Sequence, residues 1–338
     1  MAVLVTGGAG FIGSHVVERL IARGSEVVVL DDFNNYYDPA IKEHNLAGVA
    51  GKQGLHIVRG DVADEAAVAE AFAIRRIRAV VHLAARAGVR PSLGDPLLYE
   101  RANIRGALLI LEQSRREGVE RVVFASSSSV YGTTTRAPFT ESDAADRPIS
   151  PYSATKRAAE LLCYTYSHLY GLPVTCLRLF TVYGPRQRPD LAIHTFTHSI
   201  WTGQPIRVFG DGASARDYTY VDDIVDGMLA ALDRPAPLAY EIINLGNSLP
   251  VQLSALISLI EGALGRTAVI EQAPEQPGDV QLTYADIGKA QRLLGYRPRV
   301  QIEEGIQRFS SWYLREHGYD QLAGSHAILA GDHHVGAP

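Results

Sequence analysis

The 338-residue sequence has few cysteines, no long apolar run and no excess of basic residues. Its two cysteines, Cys163 and Cys176, are too few for a cysteine-rich metal cluster, and their apolar surroundings predict buried thiols in a reducing compartment. The apolar runs fall short of the roughly 18 to 20 residues that cross a bilayer, which excludes a membrane span. A basic start followed by an apolar stretch is also missing, so we expect a cytoplasmic protein.

The balance of charge argues against a polyanionic partner. The 32 Lys and Arg residues face 37 Asp and Glu residues, which gives a formal net charge of −5. Because general binding of nucleic acid needs a basic surface, we expect no nucleic-acid partner, whereas a small anionic ligand held by a few local cations is compatible with this composition. A hydrophobic share of 46% and a charged share of 20% are typical of a globular chain, and the length suits two lobes.

Short apolar runs alternate with amphipathic stretches through the first half of the chain. The runs lie at residues 3–5, 27–30, 55–58, 79–83, 122–125 and 174–179. Apolar residues at helical spacing separate several of them, at residues 65–74, 97–117 and 152–170. Strands that are apolar on both faces and alternate with helices are typical of a parallel sheet covered on both sides. The pattern predicts an α/β fold with a doubly wound parallel sheet.

The alternation weakens after about residue 180, where Pro and Gly become frequent and predict loop-rich structure. We expect a first domain at residues 1–180 with returns at about 220–247. A smaller α/β substrate-binding lobe is expected from residues 181–219 and 248–320. Residues 323–338 contain three histidines but little periodicity, and we interpret them as a loose tail rather than a metal site.

A glycine-rich turn at residues 6–13 lies between the first strand and the first helix. Gly7, Gly10 and Gly13 allow a tight turn, close approach of a pyrophosphate and close packing of the helix, whose first N–H groups face the phosphates. Asp31 ends the second strand, where its carboxylate suits the ribose hydroxyls of NAD and repels a 2′-phosphate. These residues predict an NAD site on a Rossmann-type sheet. The alternative is a structural turn with a surface Asp.

Further residues near the strand ends are expected to line the cofactor. They are Phe11, Ile12, Asp61, Val62, Leu83, Ala84 and Ala85. The small alanines leave room for a cofactor, and Asp61 is placed to meet the adenine. A helix-cap role is the alternative for Asp61.

Tyr152 and Lys156 are spaced to lie on one face of a helix. A phenol with a pKa near 10 is a poor base at neutral pH. A neighbouring ammonium and a cationic nicotinamide ring both stabilise the phenolate, so they lower this pKa. The serine run at residues 126–129, at the end of a strand, supplies hydroxyl groups. The combination predicts proton abstraction coupled to hydride transfer.

Seven motifs together resemble the extended short-chain dehydrogenase/reductase family, in its nucleotide-sugar epimerase/dehydratase group. They are TGGAGFIG (6–13), HLAARAGV (82–89), SSSSVYG (126–132), YSATK (152–156), RLFTVYGPRQRPD (178–190), FGDGASARDYTYVDD (209–223) and QPGDV (276–280). The resemblance covers residue 2 to about 315. It implies a catalytic triad in which Tyr152 is base and acid, Lys156 supports it and binds the cofactor ribose, and Ser127 hydrogen-bonds the reacting hydroxyl.

The two residues immediately before VYG indicate which of the family's reactions the resemblance implies. The related 4,6-dehydratases carry Asp-Glu there, and the UDP-glucuronate decarboxylases carry a Glu immediately before VYG. This sequence has Ser128 and Ser129 instead. The missing carboxylates favour 4-epimerisation through a transient 4-keto sugar.

The stretch at residues 181–190 resembles that of the UDP-glucuronic acid 4-epimerases, with Thr181 where galactose-type epimerases usually have Asn. Arg188 offers a planar fork that can bind a carboxylate with two hydrogen bonds. Thr181 and Ser128 can donate to the same group. The alternative is that Arg186 and Arg188 are exposed loop charges or diphosphate ligands.

The resemblance implies three further ligand contacts. Arg216 matches a family ligand of the diphosphate, and Asp279 matches one of the uridine ribose. Asn103 matches a residue that orients the site next to the cofactor, with a helix-cap role as the alternative.

The resemblance, with these residues, implies NAD-dependent 4-epimerisation of a UDP-sugar, UDP-glucuronate to UDP-galacturonate. The alternatives are a UDP-glucose or UDP-N-acetylglucosamine 4-epimerase, a net dehydrogenase, and a catalytically inactive NAD-binding sensor. The resemblance also implies a homodimer formed through the helices at residues 97–117 and 152–170.

Overall fold

Strands and helices alternate along most of the chain. The structure is a computed structural model that describes residues 1–133, 136–274 and 280–319. In chain order the strands are β1 (Ala2–Thr6), β2 (Glu26–Asp31), β3 (Leu55–Arg59), β4 (Ile77–His82), β5 (Arg121–Ser127), β6 (Val174–Leu179), β7 (Thr181–Tyr183), β8 (Pro205–Phe209), β9 (Ala215–Tyr220), β10 (Tyr240–Leu245), β11 (Pro250–Gln252) and β12 (Val269–Ala273). The helices are α1 (Phe11–Ala22), α2 (Pro39–Ala47), α3 (Glu65–Ala73), α4 (Val89–Gly94), α5 (Pro96–Glu100), α6 (Gly106–Arg116), α7 (Pro151–Tyr170), α8 (Ala192–Thr202), α9 (Val221–Asp233), α10 (Leu253–Leu264), α11 (Gly288–Leu294) and α12 (Ile302–Glu316).

The largest sheet has seven strands in the order β3–β2–β1–β4–β5–β6–β10, and every neighbouring pair is parallel. The direction of winding reverses between β1 and β4, because β2 and β3 are added on one side and the later strands on the other. This order confirms the doubly wound, Rossmann-type α/β fold. In such sheets ligands bind at the carboxyl ends of the strands, next to the point of reversal.

Two apolar layers cover the two faces of this sheet. Val3 and Val5 of β1 pack in one layer with α1 and α9, whereas Leu4 packs in the other with α3, α6 and α7. Successive side chains of a strand point to opposite faces, so a strand covered on both sides must be apolar throughout. All three residues are fully buried.

The chain after residue 180 contains more helix and strand than its Pro and Gly content predicted. β9 lies between β7 and β11 in a three-stranded sheet, and β8 pairs with β12 in parallel. The helix α8 buries Ile193, Phe196 and Ile200, which recur at helical spacing between the glycines and prolines. β10 extends the large sheet beside β6.

The single helix expected at residues 97–117 is broken into three parts. A π-helical segment, Arg101–Arg105, separates α5 from α6. Asn103 is buried within it, where its Oδ1 accepts from the backbone N–H of Arg86 at 2.8 Å and its Nδ2 donates to Oγ1 of Thr155 at 2.9 Å. The helix-cap alternative for Asn103 is therefore wrong, because helical backbone continues on both sides of it.

Both cysteines are buried and free, as their surroundings predicted. Cys163 lies on α7 and Cys176 on β6. Among the helices of the described ranges, none is long and apolar enough to cross a membrane.

Leu111→Ala tests the apolar layer beneath α6. Leu111 is 1% exposed, so its truncation leaves a cavity and should lower the free energy of unfolding by about 2–5 kcal/mol. Urea unfolding followed by circular dichroism measures the change. Leu249→Ala, at a side chain that is 52% exposed, is the control and should change it by less than about 0.5 kcal/mol. Equal losses in the two variants would contradict this packing.

Candidate active site

A cavity of about 330 Å³ opens at the carboxyl ends of β1, β2, β4 and β5, beside the point where the winding reverses. Most residues predicted for the site line it. They are Gly7, Gly10, Phe11, Ile12, Gly13, Asp31, Asp61, Val62, Leu83, Ala84, Ala85, Ser127, Tyr152, Lys156, Thr181 and Arg188. The cavity therefore brings together residues from the glycine-rich turn, four strand ends, α7 and the loop after β7.

The glycine-rich turn leaves no room for side chains. Gly7 has a φ of +69°, and a Cβ on it would lie 2.7 Å from the backbone nitrogen of Ala84. A Cβ on Gly13 would lie 2.1 Å from the carbonyl oxygen of Gly7. Gly10, the N-cap of α1, provides no capping side chain. The first N–H groups of α1 therefore border the cavity and are available to an anion.

Asp31 is held against the glycine-rich turn. Its Oδ2 accepts from the backbone N–H of Ala9 at 3.1 Å, and its Oδ1 accepts from that of Phe33 at 2.9 Å. Nζ of Lys42, on α2, lies 3.4 Å from Oδ1. Asp31 is 5% exposed, so the alternative of a surface Asp is wrong. Lys42 also lines the cavity, and sequence reasoning missed it because no spacing rule links α2 to the end of β2.

Asp61 takes part in the turn after β3 and also borders the cavity. Its Oδ1 accepts from the backbone N–H of Ala63 at 2.8 Å, and its Oδ2 lies 2.7 Å from Nη1 of Arg101. The carboxylate therefore stabilises the turn, with the guanidinium of Arg101 as a second partner.

The helix α7 carries Tyr152 and Lys156 to the cavity. It begins at a capping box in which Ser150 and Ser153 exchange hydrogen bonds. Nζ of Lys156 donates to the carbonyl oxygen of Ala125, on β5, at 2.8 Å. Burial lowers the pKa of Lys156 to about 8.

Burial raises the pKa of Tyr152, and two contacts oppose that rise: a hydrogen bond from Ser127 and the positive charge of Arg188. Ser127 accepts from the backbone N–H of Ser129 at 3.2 Å and from its hydroxyl at 2.9 Å, so the proton of Ser127 is available to Tyr152. We expected Lys156 to lower the pKa of Tyr152. In the structure its ammonium donates to a carbonyl of β5, and Ser127 and Arg188 act on the phenol instead.

A buried ion pair that sequence reasoning missed fixes α7 on the sheet. Glu160 is fully buried and accepts from Nε and Nη2 of Arg178, on β6, at 2.9 and 2.8 Å. It also accepts from the hydroxyl of Ser126 at 2.6 Å. Glu160 follows Lys156 by four residues, and this spacing on the buried face of α7 was the available signal. Because breaking a buried pair leaves an uncompensated charge, the cluster fixes the position of α7 on β5 and β6.

Arg188 reaches the cavity from the loop after β7 and pairs with a carboxylate of the protein. Its Nε and Nη2 donate to Oδ1 and Oδ2 of Asp190 at 2.9 and 2.8 Å. The hydroxyl of Tyr36 donates to Oδ2 of Asp190 at 3.3 Å, and the guanidinium of Arg188 lies 5.5 Å from the centre of the Tyr36 ring. The alternative of an exposed loop charge is wrong for Arg188, whose side chain is 18% exposed.

Among the described residues, three predicted site residues do not line this cavity. Asn103 binds the backbone of Arg86 beside it, and Ser128 lies in a short 3-10 turn after β5. Arg216, on β9, donates from Nη1 to the carbonyl oxygens of Ala215 and Gln281 at 3.0 and 3.3 Å. Asp279 lies outside the described residues.

Residues 3–246 match the NAD dependent epimerase/dehydratase family, and this match spans more than half of the chain. The chain belongs to this family. The membership confirms the resemblance that the sequence motifs indicated.

Relatives in the family and solved structures resemble this chain over nearly its whole length. A UDP-glucuronate 4-epimerase of Thermodesulfobacterium geofontis is 44% identical over 310 residues, which are 91% of this chain and 95% of that protein. The UDP-glucuronic acid 4-epimerase of Bacillus cereus, crystallised with UDP-glucuronic acid and NAD, has a TM-score of 0.89 at 34% identity and covers 94% of this chain and 100% of its own. A UDP-glucose 4-epimerase of Thermotoga maritima, crystallised with UDP-glucose, has a TM-score of 0.85 at 33% identity, with the same coverage. The shared fold therefore serves more than one UDP-sugar.

The buried ammonium of Lys156 predicts a pH-dependent stability. Its pKa is about 8 in the folded protein, against 10.5 in an ordinary environment. Between these values the unfolded chain holds a proton that the folded chain has released, so the free energy of unfolding rises with pH through this group. Urea unfolding of the nucleotide-free protein at about pH 8, 9 and 10 measures the rise.

Lys156→Met should remove this part of the pH dependence. Lys289→Met is the matched control, because Lys289 pairs with Glu241 away from the cavity. An unchanged pH dependence in Lys156→Met would contradict the assignment.

Proposed function

We propose that this protein is a UDP-glucuronate 4-epimerase, which interconverts UDP-glucuronate and UDP-galacturonate with NAD as a bound cofactor. One observation carries the proposal: a single cavity has the glycine-rich turn on one wall and Tyr152, Ser127, Thr181 and Arg188 among its other lining residues. The relative from Thermodesulfobacterium geofontis supports the choice of sugar, because it is a UDP-glucuronate 4-epimerase at 44% identity.

The residues of the cavity suit NAD. Gly7, Gly10 and Gly13 leave the backbone open to a pyrophosphate, and Asp31 offers an acceptor to ribose hydroxyls while repelling a 2′-phosphate. Other residues proposed to contact it are Phe11, Ile12, Asp61, Val62, Leu83, Ala84, Ala85, Tyr152 and Lys156, with Asn103 holding the loop at Arg86 beside it. A bound NAD would supply a reversible hydride acceptor for carbon 4 of the sugar.

Tyr152 is proposed as the base and the acid of the reaction. Its phenolic oxygen takes the proton of the 4-hydroxyl during oxidation, and it returns a proton after the 4-keto sugar has rotated about its phosphate linkage. Ser127 hydrogen-bonds the reacting oxygen. Lys156, whose ammonium donates to the carbonyl of Ala125 beside the cavity, is proposed to bind the ribose of the cofactor. The reaction has no net redox change, so the cofactor stays bound through each turnover.

The uronate carboxylate needs fixed donors in this mechanism. Oxidation of carbon 4 gives a β-keto acid, which loses carbon dioxide readily when the bond from the ring to the carboxylate aligns with the π system of the ketone. Arg188, Thr181 and Ser128 are proposed to hold the carboxylate out of that alignment, Arg188 through its planar fork. A neutral sugar such as UDP-glucose would not need these donors.

The UDP part of the substrate is proposed to bind mainly to the smaller lobe. The NAD-binding part is residues 1–180 with returns at about 220–247, and the nucleotide-sugar lobe is residues 181–219 and 248–320. Arg216 is proposed to contact the diphosphate.

We further propose a homodimer in the cytoplasm. Leu97, Leu108, Leu161 and Tyr164 are exposed on α5, α6 and α7, which pack on one another. Exposed apolar side chains on adjoining helices are typical of a protein interface. The free, buried cysteines fit a reducing compartment. Light scattering of the eluting protein tests the oligomeric state.

The function is tested by incubating the purified protein with UDP-glucuronate, without added NAD, and identifying the product by NMR. UDP-galacturonate is the expected product. Conversion of only UDP-glucose or UDP-N-acetylglucosamine would favour a different sugar specificity, and accumulation of free NADH would indicate a dehydrogenase. Bound NAD without turnover of any UDP-sugar would indicate an NAD-binding sensor.

Ser127→Ala tests whether Ser127 helps Tyr152 to act as the base. Loss of the hydrogen bond that opposes burial should raise the pKa of Tyr152. Tyr152 must be deprotonated to act as a base, so the rising limb of kcat against pH moves to higher pH, and kcat at neutral pH falls by roughly 10- to 100-fold. Ser127→Thr keeps a hydroxyl and should restore most of the rate. A rising limb that does not move in Ser127→Ala would contradict this role.

A further inference from the structure

The carboxylate of Asp190 occupies only one edge of the Arg188 guanidinium. Nε and Nη2 donate to its two oxygens at 2.9 and 2.8 Å. A guanidinium has a second edge, formed by Nη1 and Nη2, that can bind another carboxylate in the same plane. Across the described residues, Nη1 of Arg188 has no hydrogen-bond partner. This edge is therefore open to a ligand while Asp190 stays in place.

Tyr36 restrains the same pair from another direction. Its hydroxyl donates to Oδ2 of Asp190 at 3.3 Å, and its ring lies 5.5 Å from the Arg188 guanidinium. The Tyr36 ring limits how far the guanidinium plane can tilt. Asp190 limits the rotation of the guanidinium within that plane. Tyr36 and Arg188 both line the cavity, so this restraint is imposed at the wall of the site.

We propose that Asp190, supported by Tyr36, is a positioning residue that aims the free edge of Arg188 at the carboxylate of UDP-glucuronate. This role depends on the proposed function, and it adds the group that makes Arg188 selective for a uronate. Arginine has several flexible bonds, and a fork that is already oriented loses less freedom when the carboxylate binds. A fixed fork also keeps the carboxylate out of alignment with the ketone.

Asp190→Asn is the principal test. The amide keeps the shape of the side chain but replaces an acceptor oxygen with a donor, which removes the two-point pair. The KM for UDP-glucuronate should rise about tenfold or more, the loss expected for a charge-assisted contact. The Ki of UDP-glucose, a competitor without a carboxylate, should stay within about twofold. Carbon dioxide release per turnover should increase.

Two further variants make the test specific. Tyr36→Phe removes only the hydroxyl contact to Asp190 and should raise the same KM by a smaller factor. Asp233→Asn is the matched control, because it removes the surface pair of Asp233 with Arg23, away from the cavity, and should change neither constant. NAD content and the thermal midpoint of each purified holoenzyme are measured alongside.

Three outcomes would overturn this role. A lower KM in Asp190→Asn would mean that Asp190 competes with the substrate for the fork. Equal weakening of UDP-glucuronate and UDP-glucose would mean that Asp190 only maintains the loop. An unchanged KM would mean that Arg188 needs no orienting partner.

Arg188→Met separates this role from the proposed function. If Arg188→Met weakens UDP-glucuronate and Asp190→Asn does not, only the role of Asp190 fails. If the wild-type protein does not convert UDP-glucuronate, both the proposed function and the role of Asp190 fail. If Arg188→Met binds and converts UDP-glucuronate as the wild type does, both the proposed carboxylate site and the role of Asp190 fail.

Discussion

The buried face of α7 is held on the carboxyl ends of β5 and β6 by two charged contacts. Lys156 donates to the carbonyl of Ala125, and Glu160 forms a two-point pair with Arg178. Both contacts are buried, where a displaced partner leaves an uncompensated charge. The position of Tyr152 one turn before Lys156, and its hydrogen bond with Ser127, depend on this attachment. The chemistry of the site therefore depends on how one helix is held on the sheet.

Burial acts on the phenol and on the ammonium in opposite directions. It raises the pKa of Tyr152 and lowers that of Lys156 to about 8, because both charged forms lose hydration. Ser127 and Arg188 oppose the rise for Tyr152. The protein groups thus leave the phenol mainly protonated at neutral pH, and a cationic nicotinamide would supply further stabilisation of the phenolate. In the proposed function, proton abstraction by Tyr152 would therefore depend on the presence of the oxidised cofactor.

The sequence was sufficient to predict features that depend on residues close together in the chain. The apolar runs predicted the parallel sheet, and the glycine-rich turn and the spacing of Tyr152 and Lys156 predicted where the cavity lies. Contacts between distant elements were not predictable, such as Glu160 with Arg178 and Lys42 with Asp31. The π-helical segment was missed because Asn103 within it is held by Arg86 and Thr155, which are distant in the sequence. The partner of Arg188 was overlooked although Asp190 stands two residues away, because the motif was interpreted only as a ligand for substrate.

In the proposed reaction, carbon 4 of the sugar gives up a hydride and receives the same hydride back. The most direct measurement uses UDP-glucuronate deuterated at carbon 4, with the holoenzyme in ordinary water and no added nucleotide. NMR should find the deuterium retained at carbon 4 of UDP-galacturonate, with slower turnover than for the unlabelled substrate. Epimerised product that carries hydrogen from the solvent at carbon 4 would contradict hydride return by a bound cofactor.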